Sequence, residues 1–205
     1  MEYNFFNLKS NFSTNALYFK KNERKISLDK NIGLTIFNPG ILNIFNIRGN
    51  FKNPYYSSLM KSNFKIKLPK KIGNFESKNR NYLLNIGPDE MLLITETIKK
   101  EIIKKLEKSL IKNKFSFTEV SDNYQALVLS GKDVRWILSK GSPINFDEKN
   151  FTPGKCIQTH LSHSNVILFC NEVNSFTLIC VSSFSEYVLE WLKQSSIEHG
   201  YNYTS

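Results

Sequence analysis

The amino-acid sequence predicts an α+β fold with a mostly antiparallel sheet and split β-α-β units. Three observations predict this fold class. Short apolar segments of strand length recur through the second half of the chain, turn sequences join them in pairs, and single amphipathic helices separate the pairs. A chain of 205 residues with 40% hydrophobic residues is long enough to bury a core, either as one domain or as two small lobes.

The N-terminal segment, residues 1–31, has no sustained periodicity and predicts an irregular arm. Residues 32–205 form the predicted α+β domain, and one division of it gives lobes of about residues 32–130 and 131–205. The arm carries phenylalanines among its lysines, and we expect it to dock on another subunit because a free arm would expose a large aromatic surface. These phenylalanines are Phe5, Phe6, Phe12 and Phe19.

The first strand of the domain is predicted at residues 41–47, where apolar residues alternate loosely before a turn at residues 48–50. Residues 52–81 contain seven lysines and are interrupted by proline and glycine. We predict an extended connection over this stretch, and its strand candidate is residues 64–68.

A hairpin or a sharply bent strand pair is predicted next. Residues 82–86 and 91–94 are short apolar segments, and residues 87–90, Gly-Pro-Asp-Glu, supply turn chemistry between them. From about residue 97 to residue 112, isoleucine and leucine recur every four residues with lysines between them, which predicts an amphipathic helix. Two glutamates dilute its charge, so we interpret it as a helix that covers a sheet rather than a membrane-binding or nucleic-acid-binding helix.

Two strands are then predicted at residues 115–120 and 125–129, where apolar residues alternate or cluster. A Ser-x-x-acid sequence, from Ser130 to Asp133, predicts the N-cap of a helix. That helix is expected to end at residues 141–143, Gly-Ser-Pro.

Three more strands are predicted at residues 156–163, 165–170 and 175–181. The sequence Ser183-Phe184-Ser185-Glu186 predicts a capping box for a last helix that ends near Gly200. The apolar face of this helix is expected to carry Tyr187, Val188, Trp191 and Leu192.

The net charge of +10 comes from 28 Lys and Arg against 18 Asp and Glu, and it lies in the first 81 residues, which hold 15 basic and 4 acidic side chains. Such a balance indicates an anionic partner. Only four of the basic residues are arginine, however, and lysine- and asparagine-rich usage is also what an AT-rich genome encodes. The charge alone therefore leaves both interpretations open.

No apolar segment reaches the ~20 residues that a membrane-spanning helix needs, and the first residues lack the basic and apolar regions of a signal peptide. We therefore expect a cytoplasmic protein. The odd number of cysteines, two of them in apolar strand-like segments, predicts reduced and mostly buried thiols. They are Cys156, Cys170 and Cys180.

The chain also contains short blocks of glycine, proline and aromatic residues at characteristic spacings. The blocks are residues 48–49, 85–93, 120–122 with 130–131, 138–146, 151–159 and 183–192. In this order they resemble the gamma subunit of heterotetrameric sarcosine oxidase over about residues 40–200.

The residues that carry the resemblance are candidates for family-motif or interface roles. They are Arg48, Gly49, Gly87, Pro88, Asp89, Glu90, Gly141, Pro143, Gly154, Cys156, Thr159, Ser183, Phe184, Tyr187 and Trp191. The chain departs from the family pattern at four other positions: Met91 replaces tryptophan, Ser142 replaces cysteine, Asn145 replaces aspartate and Ser182 replaces arginine.

The resemblance implies a fold similar to the folate-binding domain of the glycine-cleavage aminomethyltransferase. It also implies membership of a complex that oxidises the N-methyl group of sarcosine, yields glycine and hydrogen peroxide, and passes the one-carbon unit to tetrahydrofolate. We expect alpha, beta and delta subunits as partners and neither membrane nor nucleic acid. The resemblance places FAD, FMN, NAD and tetrahydrofolate on those partner subunits and no cofactor on this chain.

The residues themselves indicate no catalytic, cofactor-binding or metal site. The nine glycines are scattered rather than gathered in a nucleotide-binding loop. The spacing of Cys156, His160 and His163 suggests zinc ligands, but the three do not all face one side of a strand, because residues an odd number apart face opposite sides. A Cys156 nucleophile with a His160 base is disfavoured as well, because the sequence suggests no third group to orient the base. Asp89 and Glu90 are adjacent in a turn, so we interpret them as turn residues rather than as an acid pair.

We therefore interpret the chain as a non-catalytic subunit that stabilises a sarcosine oxidase complex. Two alternatives stay open. A free-standing folate-binding or one-carbon transfer protein is disfavoured, because the glutamine-glutamate of the folate-binding relatives is replaced near Thr159 and His160. A basic nucleic-acid-binding module is suggested by the N-terminal charge, and it predicts binding to DNA that falls steeply with salt.

Overall fold

The computed structural model describes residue 17 and residues 20–28, 31–96 and 98–205. The four phenylalanines of the N-terminal arm, Phe5, Phe6, Phe12 and Phe19, lie outside these residues. Their docking on another subunit therefore stays a prediction.

The described helices and strands follow one another in a mixed order, with two 3-10 turns at residues 121–123 and 182–184. In chain order they are β1 (Glu23–Lys25), β2 (Leu34–Phe37), β3 (Asn43–Arg48), α1 (Pro54–Phe64), β4 (Asn74–Lys78), β5 (Asn81–Gly87), β6 (Glu90–Thr95), α2 (Lys100–Lys112), β7 (Ser116–Glu119), β8 (Tyr124–Ser130), α3 (Val134–Ser139), β9 (Cys156–Leu161), β10 (Ser164–Glu172), β11 (Ser175–Val181), α4 (Ser185–Ser195) and β12 (Tyr201–Thr204).

These elements form two compact units. The first unit contains the chain up to residue 41 together with residues 122–153 and 158–205, and the second contains residues 42–121 and 154–157. The division differs from the lobes of 32–130 and 131–205 that the sequence suggested. The reason is that β2 and β12, from opposite ends of the chain, pair in the same sheet, so a cut at one point cannot separate the units.

The first unit is built on a sheet with the strand order β1-β12-β2-β8-β11-β10-β9. The pairs β1–β12, β2–β8, β8–β11 and β10–β11 are antiparallel, whereas β2 and β12 run parallel. Apolar side chains of α3 and α4 are buried in this unit, among them Ile137, Leu138, Leu189 and Leu192. The α+β class with a mostly antiparallel sheet is thus confirmed.

The second unit is built on a sheet with the strand order β4-β5-β6-β3-β7, in which every pair is antiparallel. Helices α1 and α2 each bury one face in the core of this unit. Tyr56 and Met60 of α1 and Leu106 and Leu110 of α2 pack in the same cluster as Phe45 of β3. The predicted hairpin of residues 82–94 and the predicted helix ending at residue 112 are confirmed here.

Helix α1 shows that the predicted extended connection over residues 52–81 is wrong. The Asn53 side chain accepts a hydrogen bond from the amide of Tyr55 at 3.0 Å, and Pro54 occupies the first turn, where its missing N–H costs nothing. The strand predicted at residues 64–68 is also wrong, because Phe64 ends the helix and Lys65 adopts the left-handed conformation with φ 60°. Strand β4 follows instead.

The two predicted helix caps are wrong as well. Ser130 ends β8 and Ser183 lies in a 3-10 turn, so neither precedes its helix directly. The residues that do, Asp133 and Phe184, make no side-chain cap hydrogen bond. A 3-10 turn occupies the position of the second cap, where the Ser185 hydroxyl donates to the carbonyl of Ser182 at 2.7 Å. Glu186 instead pairs with Lys20.

The last helix is shorter than expected, and only part of its predicted apolar face is buried. It ends at Ser195, before β12, which the sequence analysis missed. The buried side chains of α4 include Val188 and Leu192, as expected, but Tyr187 is 39% exposed. The predicted irregular arm also contains an ordered piece, because β1 pairs with β12.

Candidate functional site

The sequence motif residues lie in two groups, one in each unit. We call the group in the second unit the hairpin group, and it comprises Arg48, Gly49, Gly87, Pro88, Asp89, Glu90, Gly154 and Cys156. We call the group in the first unit the aromatic group, and it comprises Gly141, Pro143, Thr159, Ser183, Phe184, Tyr187 and Trp191. The motif residues of the sequence blocks are therefore divided between the two units.

The acidic residues of the hairpin group bind neighbours within the same unit. Arg48 of β3 faces Glu90 of β6, and its Nη2 lies 2.8 Å from Glu90 Oε2. Asn46 donates to the other Glu90 oxygen at 2.6 Å, and the Gly49 amide donates to the carbonyl of Asp89 at 3.0 Å. Both acidic residues therefore hold the turn between β5 and β6, as the turn interpretation requires.

Cys156 of the hairpin group is a buried thiol. Its amide donates to the carbonyl of Gly73 at 2.8 Å, and its side chain is 3% exposed. Burial raises the pKa of the Cys156 thiol to about 12, well above its usual range. The thiol therefore stays protonated at neutral pH, and a thiolate nucleophile does not form there.

The histidines that share the zinc-like spacing with Cys156 have different surroundings. His160 and His163 are exposed, whereas Cys156 is buried. Within the described ranges, no three His, Cys, Asp or Glu side chains are grouped so that they would hold a metal ion.

In the aromatic group, Trp191 of α4 covers the backbone of Gly141. A Cβ atom added at Gly141 would lie 2.4 Å from Cζ2 of Trp191, a separation that real contacts do not allow. The carbonyl of Gly141 accepts a hydrogen bond from the amide of Ser162 at 2.7 Å. The glycine of the Lys-Gly-Ser-Pro block is thus required by close packing.

The remainder of the aromatic group presents an exposed surface. Phe184 is 46% exposed, and its ring contacts Tyr187 edge to face at 6.4 Å between centroids. The Tyr187 hydroxyl lies 2.7 Å from the Ser162 hydroxyl, which fixes the direction of the ring. An oriented, exposed aromatic pair is typical of a surface that another chain covers.

Thr159 and His160, which stand where the folate-binding relatives have glutamine-glutamate, border a groove of about 390 Å³ in the first unit. Tyr124 and Val181 from β8 and β11 also line it. Thr159 forms a 3.3 Å hydroxyl contact with Ser142, one of the positions that depart from the family pattern. Tyr124 could not be predicted as a lining residue, because no local pattern indicates which strands border the groove.

Arg135 is a structural residue that the sequence analysis did not single out. Its guanidinium donates to the carbonyls of Phe146 at 2.6 Å and Val173 at 2.7 Å, and it lies 5.0 Å from the centroid of the Phe176 ring. The sequence feature that could have drawn attention to Arg135 is that it is the only arginine after residue 80. It joins the loop after α3 to the turn between β10 and β11.

A comparison with known protein families matches residues 48–198 to the sarcosine oxidase, gamma subunit family. The chain belongs to this family. The match includes both the hairpin group and the aromatic group, so the resemblance seen in the sequence blocks is confirmed.

One curated member of this family has a similar sequence. The sarcosine oxidase subunit gamma of Corynebacterium sp. (strain U-96) is 27% identical over 110 residues, which are 54% of this chain and 53% of that protein. The chain thus matches about half the length of this curated relative.

Two solved structures share the fold. Heterotetrameric sarcosine oxidase from Corynebacterium sp. U-96, in complex with pyrrole 2-carboxylate, matches with a TM-score of 0.72 at 21% identity, over 80% of this chain and 85% of that chain. Aminomethyltransferase T of the glycine cleavage system from Bartonella henselae matches with a TM-score of 0.60 at 11% identity, over 96% of this chain and 50% of that chain. The expected aminomethyltransferase-like fold is therefore confirmed. Among the described residues, no helix combines the length and apolar character needed to cross a membrane.

Proposed function

We propose that this chain is the gamma subunit of a heterotetrameric, flavin-dependent sarcosine oxidase and that it stabilises the complex without taking part in the chemistry. The complex would demethylate sarcosine oxidatively to glycine, pass the one-carbon unit to tetrahydrofolate and release hydrogen peroxide. The observation that carries the proposal is the family match over residues 48–198, which includes both motif groups.

The contacts of the motif residues support a structural role. Glu90 is bound by Arg48 and Asn46, the Cys156 thiol is buried, and Gly141 is packed under Trp191. Each of these groups is occupied within the chain, whereas a catalytic acid, base or nucleophile has to face a substrate. The exposed pair of Phe184 and Tyr187 supports docking instead.

The proposal extends to the cofactors and partners of the complex. We propose that FAD, FMN, NAD and tetrahydrofolate bind to the partner subunits, that the partners are the alpha, beta and delta subunits, and that the complex is cytoplasmic. The scattered glycines of this chain, which include no Gly-rich phosphate-binding loop, are consistent with this division.

The test is co-expression of the alpha, beta and delta subunits with and without this chain. We expect all four chains to co-purify, and we expect omission of this chain to lower both the melting temperature of the complex and its yield of active enzyme. Native mass spectrometry gives the stoichiometry. An unchanged complex without this chain, or no association with it, would contradict the proposal.

A free-standing folate-binding protein is the second candidate, and the groove beside Thr159 and His160 is the observation that favours it. The volume of about 390 Å³ falls within the range of small-molecule sites. Calorimetry with tetrahydrofolate and the isolated chain separates the two functions. Our proposal predicts no binding heat, and saturable heat that His160→Ala removes would favour the second candidate.

A further inference from the structure

The positive charge of the chain is a property of the second unit. Residues 42–121 and 154–157 contain 17 Lys and Arg against 7 Asp and Glu, a net charge of +10. The other residues of the chain contain 11 of each kind and are neutral. The second unit is therefore the part of the chain whose net charge attracts an anionic partner.

A groove in this unit combines charge with apolar surface. It has a volume of about 380 Å³ and lies between the loop before α1, residues 68–72 before β4, and the hairpin of β5 and β6. Lys52, Lys70 and Lys71 line it and are exposed. Among the described residues none of these three ammonium groups has an ion-pair partner, whereas the nearby Asp89 and Glu90 bind Arg48.

The walls between the lysines are apolar. Leu68 and Met91 line the groove, and Ile72 is 56% exposed beside them. Met91 directly follows the Gly-Pro-Asp-Glu turn, so this wall belongs to the hairpin of β5 and β6. A ligand for the groove needs both negative charge and apolar side chains.

The groove also contains an unsatisfied polar group. The side-chain oxygen of Asn85 is buried and has no hydrogen-bond partner among the described residues, and Asn85 lines the groove. Buried polar groups in folded proteins almost always have a partner. A peptide backbone brings both an N–H and a C=O group, so it satisfies a carboxamide in either orientation, whereas a phosphate diester offers acceptors alone.

We propose that this groove binds an extended acidic segment of another subunit of the complex. Asp or Glu side chains of the segment pair with Lys52, Lys70 and Lys71, an apolar side chain contacts Leu68 and Ile72, and a backbone amide of the segment bonds to Asn85. This inference rests on the proposed function, because the segment comes from a partner subunit. It adds a docking surface on the second unit to the exposed aromatic pair of the first unit.

The test uses the complete complex and two matched variants. The groove variant carries Lys52→Glu, Lys70→Glu and Lys71→Glu, and the control variant carries Lys100→Glu, Lys104→Glu and Lys108→Glu on the exposed side of α2, with the same change in charge. We expect the groove variant to bind the partner subunits at least about tenfold more weakly, because three attractive contacts become repulsive, and the control to bind like the wild-type chain.

Lysine acetylation of the wild-type complex, read by mass spectrometry, gives a result that does not depend on the folding of any variant. We expect Lys52, Lys70 and Lys71 to react readily in the free chain and to be protected in the complex, while Lys104 and Lys108 react in both. Equal labelling of the three groove lysines in the free chain and in the complex would overturn the inference.

The outcomes separate the inference from the function on which it rests. If the wild-type chain fails to assemble with the partners, both are overturned. If it assembles and the groove variant assembles equally well, the function stands and the groove inference is overturned. Protection of the groove lysines by a DNA duplex in the free chain, without protection in the complex, would show a nucleic-acid site and also overturn it.

Discussion

Arg48 and Glu90 face each other across β3 and β6, and a 2.8 Å ion pair joins them. Arg48 also lies 3.7 Å from Asp89, whose backbone carbonyl holds the amide of Gly49. Two sequence blocks of the family, Arg-Gly and Gly-Pro-Asp-Glu, are therefore a single structural feature. The arginine of one block binds the carboxylates of the other.

We expect Glu90→Gln to destabilise the second unit by about 1 kcal/mol, because it removes a charge-assisted hydrogen bond from a carboxylate that is mostly buried while Arg48 stays half-exposed. The midpoint of urea unfolding measures the change. The control is Glu96→Gln, which breaks the exposed pair with Arg80 and should leave the midpoint unchanged. Equal shifts for the two variants would argue against a special role for the Arg48 pair.

We expect Gly141→Ala to destabilise the chain by about 1–3 kcal/mol, because the added methyl group overlaps the Trp191 ring. The same substitution in a Trp191→Leu background should cost much less, since the smaller side chain leaves room for it. Unfolding measurements on the four chains of this double-mutant cycle give the coupling. A cost that is the same in both backgrounds would show that Trp191 is not the obstacle.

The acid stability of the first unit should depend on Glu23. Lys193 donates to Glu23 at 2.6 Å, Tyr201 also donates to it, and these bonds lower the pKa of Glu23. The stabilisation is present above the unfolded pKa, about 4.3, and is lost as the pH falls through the lower folded value.

We therefore expect Glu23→Gln to be less stable than the wild-type chain at pH 6 and to approach it as the pH falls below about 4. Melting temperatures across this pH range test the expectation. Glu76→Gln, on the exposed side of β4, is the matched control and should follow the wild-type profile. A constant difference between Glu23→Gln and wild type at every pH would contradict the assignment.

The three cysteines should resist alkylation in the folded chain. Burial raises the pKa of Cys156 and of Cys180 to about 12, and it also raises the pKa of Cys170. Only the thiolate reacts with iodoacetamide. Intact mass spectrometry at pH 8 should show little modification in buffer and three adducts in urea. Rapid modification of Cys156 in buffer would revive it as a nucleophile.

Hairpins and regular helices were predictable from the sequence because their pattern is local. The strands at residues 81–95 are short apolar segments on either side of a Gly-Pro-Asp-Glu turn, and α2 repeats every four residues. Helix α1 was missed although Tyr56, Met60 and Phe64 have helical spacing, because the lysines, prolines and glycine of residues 52–81 suggested a connection. The helix depends on burying Tyr56 and Met60 in the core of the second unit. The sequence Asn53-Pro54 could have indicated where this helix begins, because asparagine is a favoured N-cap and proline is favoured in the first turn.

The motif residues could be chosen from sequence, but their contacts could not. The packing of Trp191 on Gly141, and the meeting of Lys52 with Lys70 and Lys71 at a groove, join positions that are separated along the chain. No local pattern specifies such contacts. Charge counted along the chain also concealed that the excess lies in one unit, because the boundary between the units crosses the sequence several times.

The position of β12 between β1 and β2 has a consequence for synthesis of the chain. The first sheet lacks an inner strand until residues 201–204 have emerged from the ribosome, whereas residues 42–121 of the second unit are available much earlier. During translation, β1 and β2 have unpaired edges on the sides where β12 will pair, and unpaired strand edges pair readily with other strands. The nascent chain therefore keeps these unpaired edges until β12 has been synthesised.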